Sequence, residues 1–506
     1  MEKVKKVLLS RMMVMLYVIV FEILILVWLF SLFPAVTGYI SIGLRVLSVL
    51  VVLAIIRNSR HLSSDLMWII LILLFPVGGT ALYLFLILNL VSSRTFKSIR
   101  KEEKKTERYA YQDPHVFQEL VASEPSLASL FRFIPNEGFS FYKNTQTNYY
   151  PLGELGFPHM LADMKQAQKY IFMEYFIIEP GRMWNQMLEI LEEKVKEGVE
   201  VRVMYDDMGS MNTLPFDYVK ELEAKGIKAT SFNRINPALN IVMNHRDHRK
   251  IMVIDGVIGY SGGINLADEY INKKERFGHW KDNVIRLEGP AVWGYLKIFL
   301  TNWNALRHED NDYTIFQVEG HEMPSSGFVA PYAETPLDDE LTSQCIYEDI
   351  LNSATRYVYI MTPYLIIDSS MVNTLIHTAK KGVDVRLILP GVPDKKVIWD
   401  IGRSFYKQLM DGGVKIYQYR PGFVHSKVFV SDDRIATVGT INLDYRSLYL
   451  HFENGTLLFK NEAVQEVVQD MQMTLKACDQ MHKENIKLGV FRNFILSILR
   501  IFAPML

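Results

Sequence analysis

The stretch HRKIMVIDGVIGYSGGINL, residues 248–266, returns as HSKVFVSDDRIATVGTINL, residues 425–443, and this repetition decides the fold. In each copy a histidine and a lysine stand two apart, and an aspartate follows the lysine after four residues: His248, Lys250 and Asp255, then His425, Lys427 and Asp432. On a strand, side chains two apart share a face, so each copy presents an imidazole beside an ammonium group. Each copy then passes through a turn and a second strand to a glycine-containing bend. That bend delivers Asn265 or Asn442, whose amide can donate hydrogen bonds into the same pocket.

Further matches lie upstream in the same order. KYIFMEYFIIEP (169–180) pairs with RYVYIMTPYLIID (356–368), KEGVEVRVMYDD (196–207) with KKGVDVRLILPG (380–391), and KGIKATSFN (225–233) with GGVKIYQYR (412–420). Four similar segments in one order mean one structural unit used twice. Apolar strand patterns alternate with helical ones, which predicts α/β units with mostly parallel sheets, one over 131–325 and one over 326–485.

Packed about a pseudo-twofold axis, the two units bring both histidines to one central anion, with two lysines and two asparagines around it. That set suits phosphodiester exchange: one imidazole attacks phosphorus, the other protonates the departing alkoxide, and the cations stabilise the equatorial oxygens. Asp282 in GHWKD and Glu453 in HFENG lie at similar places downstream, each suited to hold a histidine's second nitrogen. Asp255 and Asp432 complete the motif and are grouped with the catalytic set. Both stand at strand ends, however, where an Asx turn is common and a structural role is favoured. A solitary motif of this kind is more often surface decoration; two copies inside a repeat are not.

The 506 residues carry 55 Lys and Arg against 56 Asp and Glu, a net charge of −1, so no global field attracts nucleic acid. Cys345 and Cys478 have neither zinc-site nor redox spacing, and no metal or cofactor is expected. The first ninety residues are the apolar part. Residues 12–33 hold one ionisable group, Glu22, and are long enough to span a bilayer; 39–56 form a second span, with Arg45 near one end. A signal peptide is the alternative, disfavoured by the length of the first run and the lack of a cleavage site in PAVTG. A third run, 66–91, is broken by Pro76-Val77-Gly78-Gly79 and reads as a kinked span or a re-entrant hairpin. Residues 1–92 are thus a membrane anchor of two or three segments, followed by a basic linker over 93–130. The basic residues flanking the first two spans mark their side as cytoplasmic, so three full spans would put the enzyme outside. The basic segment after the third run instead fits a returning hairpin and a cytoplasmic enzyme, the side favoured here. At the other end, 486–506 is apolar with Arg492 and Arg500, and either lies in the lipid interface or packs on the core.

At these residues the chain resembles the phospholipase D superfamily, whose signature is a duplicated H-x-K-x4-D motif, and within it the bacterial cardiolipin synthase branch. The resemblance rests on NHRDHRKIMVIDG with SGGIN, on FVHSKVFVSDD, GTINLDYRS and HFENG, and on the PVGG break before a basic segment. It implies two phospholipase D-like domains with the site at their interface, N-terminal transmembrane helices and a multi-pass place in the cell membrane. It makes His248 the nucleophile of a phosphohistidine mechanism without metal, His425 the acid and base, and Lys250, Lys427, Asn265 and Asn442 the phosphate ligands. The implied reaction joins two phosphatidylglycerol molecules into cardiolipin and glycerol. Phospholipase D hydrolysis, phosphatidylserine synthesis and an inactive membrane scaffold are the alternatives, and two complete motifs speak against the last.

Overall fold

The computed structural model describes residues 39–58, 62–92, 94–234, 244–338, 340–485, 495–496 and 498–500. Both copies of the repeat fold as hairpins: Lys250–Ile254 runs antiparallel to Ile258–Gly262, and Lys427–Ser431 to Ile435–Gly439. Each hairpin closes through a tight turn whose central residues hold positive φ, Asp255 at 53° and Gly256 at 72°, Asp432 at 55° and Asp433 at 61°. Such turns match the twist of paired strands and leave no length for a crossover, so the neighbours must be antiparallel.

The expectation of mostly parallel sheets is corrected for that reason, because both sheets are mixed. The first has seven strands in the order Gln146–Tyr150, Val284–Glu288, Ile258–Gly262, Lys250–Ile254, Tyr170–Tyr175, Glu200–Asp206 and Lys228–Phe232, the last three mutually parallel. In the second, of eight strands, the parallel set is Tyr357–Met361, Asp384–Pro390 and Lys415–Tyr419, the counterparts of those three. The two-domain α/β architecture expected from the repeat is present.

Alternation along the motif strands sets the layering. Ile251 and Val253 share a core with Val428, Val430 and Val438 of the other half, while Met252 and Ile254 face a second core and Phe429 a third. The shared core holds the two sheets together. The helix Val292–Arg307 is buried almost all round within it, with Tyr295, Phe299 and Trp303 among its side chains, as expected of a helix without a polar face.

Among the described residues the chain opens with the helices α1 (Tyr39–Asn58), α2 (Leu62–Leu74), α3 (Pro76–Ser92) and α4 (Arg94–Thr106). Pro76 occupies the first turn of α3, where its missing N–H costs nothing. A Cβ on Gly79 would stand 2.7 Å from the Leu71 carbonyl oxygen, so α2 and α3 fold closely back on each other. Ser48 of α1 donates to the Pro76 carbonyl at 2.7 Å and accepts from Thr80 at 2.8 Å, fastening α1 to this hairpin. The span expected over 12–33 lies outside the described residues. Among the described residues no helix is long and apolar enough to cross a membrane. Apolar side chains nevertheless face outward, among them Ile42, Leu50, Leu53, Leu74 and Phe75.

The segment expected as a linker is built into the body. On α4, Phe96 and Ile99 are buried, Ser98 donates to the Ala305 carbonyl at 2.7 Å, and Arg100 Nε donates to that of Leu337 at 3.1 Å. The helix thereby touches both halves. Leu120, Leu130, Phe131 and Ile134 of the next two helices enter the core of the second domain, so chain order and domain membership part company around the expected boundary at 131. Of the C-terminal segment, Leu496 packs into that same core and Arg500 lies over the Phe405 ring at 4.0 Å.

Candidate active site

The two motifs meet because the halves exchange backbone hydrogen bonds. His248 N donates to the Phe452 carbonyl at 2.8 Å and Phe452 N to that of Arg246 at 2.8 Å. In the matching place His425 N donates to the Lys281 carbonyl at 2.7 Å, beside the parallel pairing of Gly422–Val424 with His279–Lys281. The segment before each motif strand is therefore stitched to the other domain.

The carboxylates follow the same exchange. His248 Nδ1 lies 2.9 Å from both oxygens of Glu453, and His425 Nδ1 lies 2.6 Å from Asp282 Oδ2. Each histidine of one half is thus braced by the acid of the other. An Nδ1–H held by a carboxylate leaves Nε2 with its lone pair. Asp282 fits because residue 263 is glycine: a Cβ there would stand 1.9 Å from Asp282 Oδ1. At the matching position Thr440 instead donates its hydroxyl to Glu453. The lysines reach back along their strands, Lys250 Nζ to the His248 carbonyl at 2.6 Å and Lys427 Nζ to that of His425.

The groups converge in a buried place, with His248 7% and His425 8% exposed. Burial first, then Lys250, Lys427 and the other histidine, push the His248 pKa well below its ordinary value. His425 is lowered to about 4 by burial and Lys427, against the pull of Asp282. Burial and the opposite lysine lower Lys250 to about 7, though Glu453 and Asp282 pull it up; burial alone lowers Lys427 to about 8, against the same two acids. Asp282, which burial would raise, is held below its usual range by His425 and Lys427. Four cationic or cationisable groups, buried and within electrostatic reach of one another, suit an anion.

Other expected residues stand apart. Asp255 accepts from the backbone N–H groups of Gln168, Lys169 and Tyr170 at 2.7–2.8 Å, and Asp432 from those of Thr355, Arg356 and Tyr357 at 2.8–2.9 Å. Both sit at the far end of their strands from the histidines, so their grouping with the catalytic set is corrected: they close the turn and fasten the start of the neighbouring strand. Asn265 is half committed, accepting from Ile177 N at 3.0 Å and donating to Tyr270 OH at 2.8 Å. Asn442 keeps a buried Oδ1 without a partner among the described residues. Sequence reasoning overlooked Thr440 and the crossing of the histidine–acid pairs. It also missed the ring pair Trp280 and His451, whose matching places two residues before Asp282 and Glu453 were visible in the repeat.

A duplicated α/β fold with two histidine–lysine pairs at its domain interface, each histidine held by the other half's acid, defines a phosphodiester-transferring protein of the phospholipase D class. Comparison agrees. A family model described as cardiolipin synthase, PLD-like domain, matches residues 160–285 and 347–475, and one described as phospholipase D-nuclease N-terminal matches 46–86. Cardiolipin synthase 2 of Bacillus cereus is 34% identical, over 89% of this chain and 88% of its own. The cardiolipin synthase of Halalkalibacterium halodurans is 31% identical, over 93% and 94%. The crystal structure of phosphatidylserine synthase from Haemophilus influenzae shares the fold, with a TM-score of 0.56 at 15% identity over 71% of this chain and 94% of that one. The chain belongs to the cardiolipin synthase family of the phospholipase D superfamily.

Proposed function

We propose that this phosphatidyltransferase moves a phosphatidyl group from one phosphatidylglycerol to another, yielding cardiolipin and glycerol. Family membership supports the lipid substrate, and the crossed pairs His248–Glu453 and His425–Asp282 carry the mechanism. His248 Nε2 attacks phosphorus, a P–N bond forming as the P–O bond to glycerol breaks, and His425 passes its proton to the departing oxygen. In the second step the terminal hydroxyl of another phosphatidylglycerol gives its proton to His425 while its oxygen attacks phosphorus and the P–N bond breaks. Lys250 and Lys427, with Asn265 and Asn442, hold the phosphoryl oxygens. The anionic phosphate offsets the burial and the Lys427 charge that lower the His425 pKa, so the proton it must donate becomes available on binding. Burial of both rings limits water at the intermediate and favours transfer over hydrolysis.

The same reading makes the chain a multi-pass protein of the cell membrane. The outward apolar side chains of α1 to α3 support it. The hairpin of α2 and α3 is read as re-entrant. At 13 residues α2 extends about 20 Å, short of the roughly 30 Å hydrocarbon layer. A returning hairpin, with the basic segment that follows it, leaves the catalytic domains on the cytoplasmic side. Single cysteines at Lys101 and Lys407, both exposed, should resist impermeant thiol reagents in intact cells; labelling from outside reverses the topology.

Mass spectrometry of purified protein with phosphatidylglycerol tests the activity. Cardiolipin with glycerol is expected, lost in both His248→Ala and His425→Ala. Phosphatidic acid as the product makes the chain a hydrolase, and no product makes it a scaffold.

A further inference from the structure

Trp280 and His451 hold matching places in the two halves, two residues before Asp282 and Glu453. Each lays its ring against the opposite motif histidine, with centroids 5.5 Å apart for Trp280 and His425 and 5.7 Å apart for His451 and His248. There the equivalence ends, because an indole has no ring lone pair to share and an imidazole has one. His451 is 8% exposed, and neither of its ring nitrogens has a hydrogen-bond partner among the described residues. Buried polar atoms are rarely left so unless something else binds them.

The surroundings of His451 indicate what that is. Its Nδ1 lies 3.8 Å from Glu453 Oε1, and His248 Nδ1 lies 2.9 Å from the same carboxylate. Ligand atoms of His248, His451 and Glu453 all fall within 4.8 Å of one another. Two atoms bound to one tetrahedral zinc ion at about 2.1 Å stand about 3.4 Å apart, and the two observed distances bracket that value. Two imidazoles and a carboxylate are a common zinc donor set. The other half offers His425 and Asp282 but a tryptophan in third place.

We propose that His248, His451 and Glu453 form a site for a divalent cation of the zinc class, and that filling it turns the enzyme off. The inhibitory part rests on the proposed attack of His248 on phosphorus. A neutral imidazole has one lone pair and one N–H. When the lone pair goes to the metal, the proton stays on the other nitrogen and nothing remains to form the P–N bond. Glu453, now a metal ligand, also ceases to orient the ring. No bond to carbon or phosphorus changes and no electron is transferred, so removing the ion restores the site.

Cobalt(II) is the probe, added to full-length enzyme in detergent, since its visible absorption reports tetrahedral binding without any turnover. One equivalent should bind per chain, zinc should displace it, and zinc should abolish cardiolipin formation until EDTA restores it. His451→Trp, with His451→Asn as a second variant in case the first does not fold, should weaken cobalt binding by at least about 10- to 100-fold. The ratio of its activities with and without zinc should approach one. His425→Asn should keep the cobalt spectrum although it turns nothing over. Absence of binding, or binding that survives both His451 variants or disappears with His425, overturns the site. Cobalt binding as described in a wild-type protein that makes no cardiolipin refutes the proposed function instead, and leaves the site standing.

Discussion

Glu453 accepts from His248 across the domain boundary at 2.9 Å, so the residue that fixes this ring's tautomer belongs to the other copy of the repeat. Asp282 does the same for His425 at 2.6 Å. Neither half holds both a motif histidine and the acid that braces it, and the site exists through the packing of both.

Removing the acids should therefore disable chemistry without unfolding the chain. Glu453→Gln and Asp282→Asn are each expected to lower kcat by about 10²- to 10⁴-fold, since a neutral amide can hold the ring in the wrong tautomer. Combining Glu453→Gln with His248→Ala should cost little more than His248→Ala alone, because the two act as one unit. Strictly additive losses in that pair would separate Glu453 from His248.

The lysines set the pH dependence. A lysine is charged below its pKa, and Lys250 is lowered to about 7 and Lys427 to about 8, in both cases chiefly by burial. As pH rises through that interval the free enzyme loses the cations that receive phosphate, so kcat/KM for phosphatidylglycerol should fall. Lys250→Arg, which stays charged, should move the falling limb upward whatever its absolute rate. A flat profile from about pH 6 to about 9 contradicts the assignment.

The proposed transfer employs side chains alone, and its two steps exchange one phosphodiester for another. Metal-free enzyme assayed with excess EDTA should therefore match the untreated rate within about twofold. A large loss that added magnesium or calcium restores would require a step through a metal, and the phosphohistidine reading would fall.

Asp255 offers a contrast between fold and chemistry. It supplies a left-handed turn residue and accepts from three backbone N–H groups of the neighbouring strand. Asp255→Ala forfeits both and should destabilise the first domain by about 2–4 kcal/mol. The kcat of the molecules that remain folded should change by only a few-fold. Unchanged thermal unfolding together with a thousandfold loss of kcat would give this carboxylate a chemical role.

The repeat and the placing of Asp282 and Glu453 against the motif histidines were legible in the sequence, because a duplicated unit constrains each copy by the other. Strand direction was misread. Alternating strands and helices suggested parallel sheets, while the decisive information lay in the turns: Asp255-Gly256 and Asp432-Asp433 allow positive φ at both central positions and so demand hairpins. The crossed pairing was not legible, since spacing along one chain does not reveal which half's acid a histidine meets. Nor was the packing of α4, whose lysines read as a solvated linker while Phe96 and Ile99 supply a narrow buried stripe.

Gly263 tests the site without replacing any polar group. Its Cβ position lies 1.9 Å from Asp282 Oδ1, far inside any permissible contact, and the carboxylate is buried with no room to withdraw without releasing His425. Gly263→Ala should lower kcat by about 10²-fold or more, within the range expected of Asp282→Asn, as misplacement by even about 1 Å can cost that much. Since both changes act through one bond, the double variant Gly263→Ala with Asp282→Asn should be no slower than Asp282→Asn alone. Thr440, the matching residue, already carries a side chain and donates to Glu453, so Thr440→Val should produce a smaller loss, about tenfold, by freeing the longer acid. Near wild-type activity in Gly263→Ala would mean that His425 does not depend on Asp282 being held where it stands.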